Sequence, residues 1–226
     1  FLIKFIYWIK EGNMLNNNDK KTILVLAPHT DDGELGCGGS IARFIQEGKE
    51  VISVAYSIAE DNISDEFPKN TLAKEYKKAM TVLGLKSENI IYHNFKVRHF
   101  PEYRQEILQN MIGLSKKYQP DLVLVPSIND IHQDHQVIAN EGLRTFKKIA
   151  ILGYEMPWNN IVFETRCFIK LEENYIHKKI EALNCYKSQT HRKYLNKEFI
   201  WGLARTRGTQ FESDYAEAFE VMRWII

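Results

Sequence analysis

Short apolar runs alternate with longer segments of helical periodicity through the first 150 residues of the chain. The apolar runs are rich in valine and isoleucine and are bounded by turn residues, which is typical of buried strands. The predicted strands are Thr22–Ala27, Glu50–Ser57, Asn89–His93, Asp121–Ser127 and Ala150–Tyr154. The segments between them predict helices over Gly39–Glu47, Thr71–Leu85, Pro101–Tyr118 and His135–Lys148.

Strands that alternate with helices predict parallel βαβ units, so we expect a mostly parallel sheet with helices on both faces. The pattern loosens after residue 155. Ile161–Leu171 alternates as an antiparallel strand would, Glu172–Tyr186 has helical spacing, and Phe219–Ile226 reads as a final strand. We therefore predict an α/β three-layer sandwich with an elaborated C-terminal third, forming a single domain over residues 21–226.

The first residues of the chain differ from the rest. Phe1–Lys10 is almost wholly apolar, but it is shorter than the 20 or so residues that span a bilayer and lacks the cleavage site of a secretory signal. We interpret residues 1–20 as an N-terminal extension, with residues 1–13 lying upstream of the start at Met14. An interfacial anchor and a strip buried against a neighbouring subunit are the alternatives.

Composition places the chain among ordinary globular proteins, with 44% hydrophobic and 26% charged residues. The net charge of 30 − 29 = +1 argues against a nucleic-acid partner, because phosphate neutralisation dominates such binding. The odd set of Cys37, Cys167 and Cys185 favours a reducing, cytoplasmic compartment over a disulfide framework. Since no later segment approaches membrane-spanning length, we expect a soluble protein without stable membrane insertion.

The first chemical motif is Ala27–Gly39 (APHTDDGELGCGG), which directly follows the first strand. Ligands of open parallel sheets bind at the carboxyl ends of the strands. A divalent cation would relieve the cost of crowding His29, Asp31 and Asp32 there, and imidazole and carboxylate are ordinary zinc ligands. Alternatively, one aspartate caps a helix that begins near Gly38. The glycines are typical of a tight turn with close backbone approach, and they do not form the dinucleotide-binding fingerprint.

The second motif, Asp130–His135 (DIHQDH), follows another predicted strand and so reaches the same edge of the sheet. If the first and fourth strands are neighbours, His29, Asp32 and His135 meet at one cation. Three protein ligands with an open fourth position are typical of catalytic zinc. Asp134 either orients a ligating imidazole from behind or serves as an exposed helix cap.

These residues resemble a known family. His29-Thr30-Asp31-Asp32 with Gly38-Gly39, followed by His132-x-Asp134-His135, is similar to the motifs of the PIG-L/LmbE-like N-acetylglucosamine deacetylases. Thr30 replaces the proline that is usual in the first motif. Lys178–Gln189 and Tyr215–Phe219 resemble segments that the family carries late in its chain.

The resemblance implies a Rossmann-like fold and a hydrolase that uses one divalent metal, most often Zn²⁺, to attack an N-acetyl group with a metal-bound water. It implies that His29, Asp32 and His135 are the metal ligands and that Asp31 is the general base. His132 then supports the oxyanion or protonates the leaving amine. Asp130 stands where some members carry a carbonyl-polarising tyrosine, which leaves that role unassigned.

The expected substrate is a small amino-sugar conjugate, and four residues after the third and fifth strands are candidate contacts. Arg98 could clamp an anionic group, Trp158 could stack on a sugar ring, and Glu155 and Asn159 could bond hydroxyls. Two other functions stay open: metal-dependent hydrolysis of a phosphoester, and a non-catalytic Rossmann-like binding module. The sequence also leaves open whether the chain forms a homo-oligomer.

Overall fold

The computed structural model describes residues 21–225, so the predicted extension over residues 1–20 lies outside the described residues. Seven strands form one sheet in the order β3-β2-β1-β4-β5-β7-β6. Their bounds are β1 Thr22–His29, β2 Glu50–Ser57, β3 Ile90–Tyr92, β4 Leu122–Pro126, β5 Ala150–Tyr154, β6 Cys167–Leu171 and β7 Tyr215–Arg223. Strands β1 to β5 are parallel, and β7 pairs antiparallel with both β5 and β6.

Helices cover both faces of this sheet, and the predicted three-layer α/β fold is confirmed. The longer helices are α1 Asp32–Gln46, α2 Thr71–Leu83, α3 Arg104–Tyr118, α4 Gln133–Thr145, α5 Glu173–Leu183 and α6 Lys197–Thr209. Alternate residues of β1 enter different cores: Ile23 and Val25 join the cluster beneath α1, α2, α5 and α6. Leu24 and Leu26 join the cluster beneath α3 and α4. This two-sided burial explains why the central strands are continuously apolar.

Helix α1 begins at Asp32, earlier than the predicted start near Gly38, and Cys37 interrupts it with a non-helical φ of −146° and ψ of 24°. The glycines around this kink let the helix lie against its neighbours. A Cβ on Gly36 would approach the Tyr154 ring to 2.3 Å, and one on Gly39 would approach the Leu171 side chain to 2.5 Å. The predicted close approach of the backbone is therefore present at both glycines.

The C-terminal third departs most from the predicted elements. Only Cys167–Leu171 of the long predicted strand pairs in the sheet, and the last strand is Tyr215–Arg223. Helix α6, Lys197–Thr209, is a further element that the sequence analysis did not predict. Within residues 21–225, no helix is both long and apolar enough to cross a membrane.

Candidate metal centre and active site

Both sequence motifs end at one crevice. Strand β1 pairs in parallel with β4, as the predicted convergence requires, and β1 lies between β2 and β4. Connections from these two strands run in opposite directions across the sheet, which makes this the switch point where ligands bind in doubly wound folds. His29 ends β1, Asp130 lies between β4 and α4, and His135 is in the first turn of α4.

The side chains of His29, Asp32 and His135 converge on one point. Asp32 Oδ2 lies 3.1 Å from His29 Nδ1 and 3.3 Å from His135 Nε2. The two imidazole ring centres are 5.4 Å apart. The Asp32 carboxylate is also fixed by the backbone, because it accepts a hydrogen bond of 2.8 Å from the His29 amide.

A second carboxylate holds each of these two imidazoles from behind. His29 Nε2 lies 2.9 Å from Asp134 Oδ2, and His135 Nδ1 lies 2.7 Å from Asp130 Oδ2. Both aspartates are buried, so the alternative of Asp134 as an exposed cap is wrong. Because a carboxylate holds each outer nitrogen, the inner nitrogens of both rings face Asp32 and are the ones that a cation would bind. A carboxylate behind a ligating imidazole is the usual arrangement in metal sites.

The donor set of His29, Asp32 and His135 fits a tetrahedral cation. Bonds of about 2.0–2.1 Å to imidazole nitrogen and carboxylate oxygen place neighbouring ligand atoms about 3.3–3.4 Å apart, close to the two observed separations. A second group, His29, His132 and Asp134, is also compact enough. Its atoms are already engaged, however, since Asp134 bonds His29 and the Asp134 amide donates to His132 Nδ1 at 3.2 Å.

Burial and proximity shift the pKa values of these groups in opposite directions. Burial alone would lower the pKa of His135, but Asp32 and Asp130 outweigh it and raise that pKa to about 10. Burial would raise the pKa of Asp32, yet His135 and His29 hold it well below its usual range. The pocket therefore contains an ionised Asp32 carboxylate in contact with two imidazoles, and the positive charge beside that carboxylate can be supplied by a bound cation instead of a protonated ring.

Asp31 lies beside this group in an unusual conformation. Its φ of 80° is left-handed, a region that non-glycine residues enter at a cost of about 1–3 kcal/mol. Although Asp31 is the N-cap of α1, its side chain makes no capping bond, so the simple-cap alternative is wrong for Asp31. Burial and the Asp32 carboxylate raise the pKa of Asp31 well above its usual range, and Arg192 opposes this shift.

His132 lies beside the imidazoles of His29 and His135. Its ring centre is 5.1 Å from that of His29 and 4.7 Å from that of His135. Burial and the two neighbouring imidazoles lower its pKa to about 4. Since His132 Nδ1 accepts a hydrogen bond from the Asp134 amide, the neutral ring carries its proton on Nε2.

A cavity of about 510 Å³ opens above these groups. Sequence reasoning missed the wall that the C-terminal third contributes through Gln189, Arg192 and Tyr194. Gln189 ends one short 3₁₀ turn and Tyr194 lies in another. Such turns have no periodicity to detect. The similarity of Lys178–Gln189 to late family segments was the one signal available.

Three of the four predicted substrate contacts line this cavity: Arg98, Trp158 and Asn159. Trp158 is partly exposed, and one face of its indole stacks on Tyr194 with ring centres 4.1 Å apart. Among the described residues, 21–225, Glu155 does not line this cavity. It is buried and paired with Arg207, whose Nε lies 2.9 Å from its carboxylate.

Cys37 does not join the metal group. Its buried thiol donates to the Gly33 carbonyl at 3.2 Å inside α1, and burial raises its pKa well above the usual range. A protonated, buried thiol at this position is a packing residue of the core.

Several known proteins are similar to this chain in sequence or in structure. The chain is 28% identical over 177 residues to the "Uncharacterized deacetylase YaiS" of Escherichia coli, covering 76% of this chain and 93% of that protein. The conserved protein TT1542 from Thermus thermophilus superposes with a TM-score of 0.73 at 25% identity, covering 90% of this chain and 95% of the other.

N,N'-diacetylchitobiose deacetylase from Pyrococcus horikoshii superposes with a TM-score of 0.76 over 98% of this chain and 91% of its own, at 21% identity. That identity supports a shared fold. Residues 24–146, more than half of the 226, match the family model described as "PIG-L: GlcNAc-PI de-N-acetylase". The match spans both motifs of the crevice, and the chain belongs to the PIG-L family.

Proposed function

We propose that the chain is a metal-dependent N-deacetylase that hydrolyses the acetamide of an amino-sugar conjugate. The observation that carries this proposal is the convergence of His29, Asp32 and His135 beside Asp31 in one open cavity. Family membership supports it, since the family description names a de-N-acetylase and the E. coli relative is described as a deacetylase.

His29, Asp32 and His135 would hold one divalent cation, and Zn²⁺ suits two imidazoles and a carboxylate. Such a cation polarises a carbonyl oxygen and makes water a nucleophile near neutral pH. Asp130 and Asp134 hold the outer nitrogens of the two rings by hydrogen bonds, so the inner nitrogens point into the site and would bind the cation as they release their protons.

Asp31 is the proposed general base. Its side chain makes no capping hydrogen bond to α1, and it lines the cavity next to the proposed ligand Asp32. A carboxylate in that position can accept a proton from the attacking water, a contribution typically worth 10²–10⁴-fold in rate. The proton that Asp31 receives can later pass to the leaving nitrogen.

His132 is proposed to stabilise the oxyanion as a neutral hydrogen-bond donor. Its Nδ1 accepts from the Asp134 amide, so the Nε2 proton is available to the developing charge. Donors that are fixed before the reaction are worth about 10²–10³-fold. The low pKa of His132 favours this role over donation of a full proton to the amine.

We assign the sugar ring to the exposed face of Trp158. Its other face is covered by Tyr194, which fixes the indole as a flat platform. Asn159 and Arg98 also line the cavity, and they offer donors for hydroxyl or anionic groups of the conjugate.

Paired variants test the proposal. Asp31→Asn is expected to retain zinc, measured by elemental analysis, and to lose nearly all release of free amine from N,N'-diacetylchitobiose or N-acetylglucosamine conjugates. His135→Ala is expected to lose both zinc and activity. If chelator-free protein neither contains nor gains a metal, or if zinc-loaded protein hydrolyses none of a panel of acetylated amino sugars, the proposal is wrong.

The phosphoesterase alternative has less support. Two-metal phosphoester hydrolysis needs ligands for a pair of ions about 3.5–4 Å apart. The two compact groups found within the described residues share His29, whose outer nitrogen already bonds Asp134. A phosphate-release assay run beside the free-amine assay distinguishes the two reactions.

A further inference from the structure

The peptide nitrogen of Asp31 is held by a hydroxyl from the C-terminal third of the chain. The Asp31 N–H donates to the Tyr186 hydroxyl oxygen at 3.0 Å. Asp31 has a φ of 80° and a ψ of −29°, a conformation that surrounding contacts must maintain. Because these angles set the direction in which the side chain leaves the backbone, this hydrogen bond helps to aim the carboxylate.

The Tyr186 hydroxyl is itself oriented by Glu34. It lies 2.5 Å from Glu34 Oε1, and both residues are almost completely buried. An amide can only donate, and a hydroxyl has one proton, so the direction of both hydrogen bonds is fixed. The Asp31 N–H donates to the Tyr186 oxygen, and the Tyr186 hydroxyl donates to the Glu34 carboxylate. Glu34 Oε2 has no partner in the described part of the chain.

The segment that carries Tyr186 is anchored on both sides. The Tyr186 amide donates to the Leu183 carbonyl at the end of α5. Two residues later, the Ser188 amide and hydroxyl donate to the buried Glu75 carboxylate of α2 at 3.0 and 2.6 Å. The phenol therefore reaches Asp31 from a support that is fixed independently of the metal ligands.

We propose that Tyr186, oriented by Glu34, is a positioning residue for the general base Asp31. The inference rests on the proposed function, because it assigns Asp31 that role. The metal ligands have separate supports: Asp32 is held by the His29 amide, and the imidazoles by Asp130 and Asp134. Loss of the Tyr186 hydroxyl would therefore disturb the base and leave the cation site intact.

Tyr186→Phe keeps the ring and removes the hydroxyl. We expect kcat to fall about 10- to 100-fold, because small misplacements of catalytic groups cost that much, while KM and zinc affinity stay unchanged. Tyr76→Phe is the matched control. Tyr76 is as buried as Tyr186 and donates to Ser53 Oγ at 2.8 Å, so its variant loses a buried hydroxyl bond without touching Asp31 and should keep its kcat.

Glu34→Leu provides a second variant that does not depend on the folding of the first. It removes the acceptor that orients Tyr186, so kcat should fall while KM stays unchanged. Since both changes act through one contact with Asp31, the double variant should lose no more kcat than Tyr186→Phe alone. Fully additive losses would overturn the proposal, as would a kcat for Tyr186→Phe equal to that of Tyr76→Phe.

Failure of the proposed function would be visible separately, as a wild-type protein that binds zinc and releases no amine. Crystal structures would then decide the positioning role. In Tyr186→Phe the peptide before Asp31 is expected to rotate, so that φ leaves the positive region. An unchanged Asp31 conformation in that variant would overturn the inference.

Discussion

Replacing Asp134 by asparagine should weaken metal binding without removing any ligand. The Asp134 carboxylate is fully buried and accepts three hydrogen bonds. Oδ2 receives His29 Nε2 at 2.9 Å and the Arg98 amide at 2.6 Å, and Oδ1 receives the Phe100 amide at 3.2 Å. An asparagine has the same shape, but its NH₂ group can only donate, so one of these donors would face another donor.

The size of the effect follows from which bond is lost. The backbone donors of Arg98 and Phe100 lie on opposite oxygens, so either orientation of the amide leaves at least one donor unpaired. Loss of the carboxylate behind a ligating imidazole typically costs 10–100-fold in metal affinity, equivalent to about 1.4–2.8 kcal/mol. We expect the zinc Kd of Asp134→Asn to rise by this factor.

Competition with a chromogenic zinc chelator measures this change directly. Asp65→Asn is the control, because it makes the same change of charge at an exposed position and should leave the zinc Kd unaltered. Circular dichroism of both metal-free variants separates lost affinity from lost structure. A folded Asp134→Asn protein with wild-type zinc affinity would refute the reasoning that the carboxylate orients His29.

Two further predictions concern stability. Gly36→Ala should lower the free energy of unfolding, measured by denaturant titration, by about 1–3 kcal/mol, because its Cβ would approach the Tyr154 ring to 2.3 Å. Gly113→Ala is the comparison, since no atom lies within 4 Å of its Cβ. It should stabilise α3 and raise the free energy of unfolding by about 0.5–1 kcal/mol. Equal effects at the two glycines would contradict the packing argument. Lys179→Met should lower the free energy of unfolding by about 3–5 kcal/mol. It leaves the buried Glu217 carboxylate, which lies 2.7 Å from the Lys179 ammonium, without its positively charged partner. A decrease of less than about 1 kcal/mol would show that this ion pair contributes little to stability.

The parallel part of the fold was predictable because its strands are buried on both faces. Leu24 and Val25 of β1 face different cores yet are equally apolar, which gives the strand a continuous hydrophobic signal. The crevice was predictable for the same reason: once two such strands are neighbours, the polar residues that follow them meet. His29 and His135 therefore came together as expected.

The outer parts of the site could not be inferred in this way. Glu155 follows β5 as predicted, but its partner Arg207 lies on α6, a helix that the sequence analysis did not predict. The cavity wall formed by Arg192 and Tyr194 depends on irregular turns whose placement is set by tertiary contacts. Sequence spacing cannot report such contacts, because they join segments far apart in the chain.

We propose that His29, Asp32 and His135 bind one catalytic cation. Anomalous diffraction at the zinc edge, from crystals grown with zinc, shows whether these three residues are the ligands. We predict one strong peak within about 2.0–2.2 Å of His29 Nδ1, an Asp32 carboxylate oxygen and His135 Nε2. A peak ligated by other residues, or no peak in this crevice at saturating zinc, would show that these residues do not form the metal site.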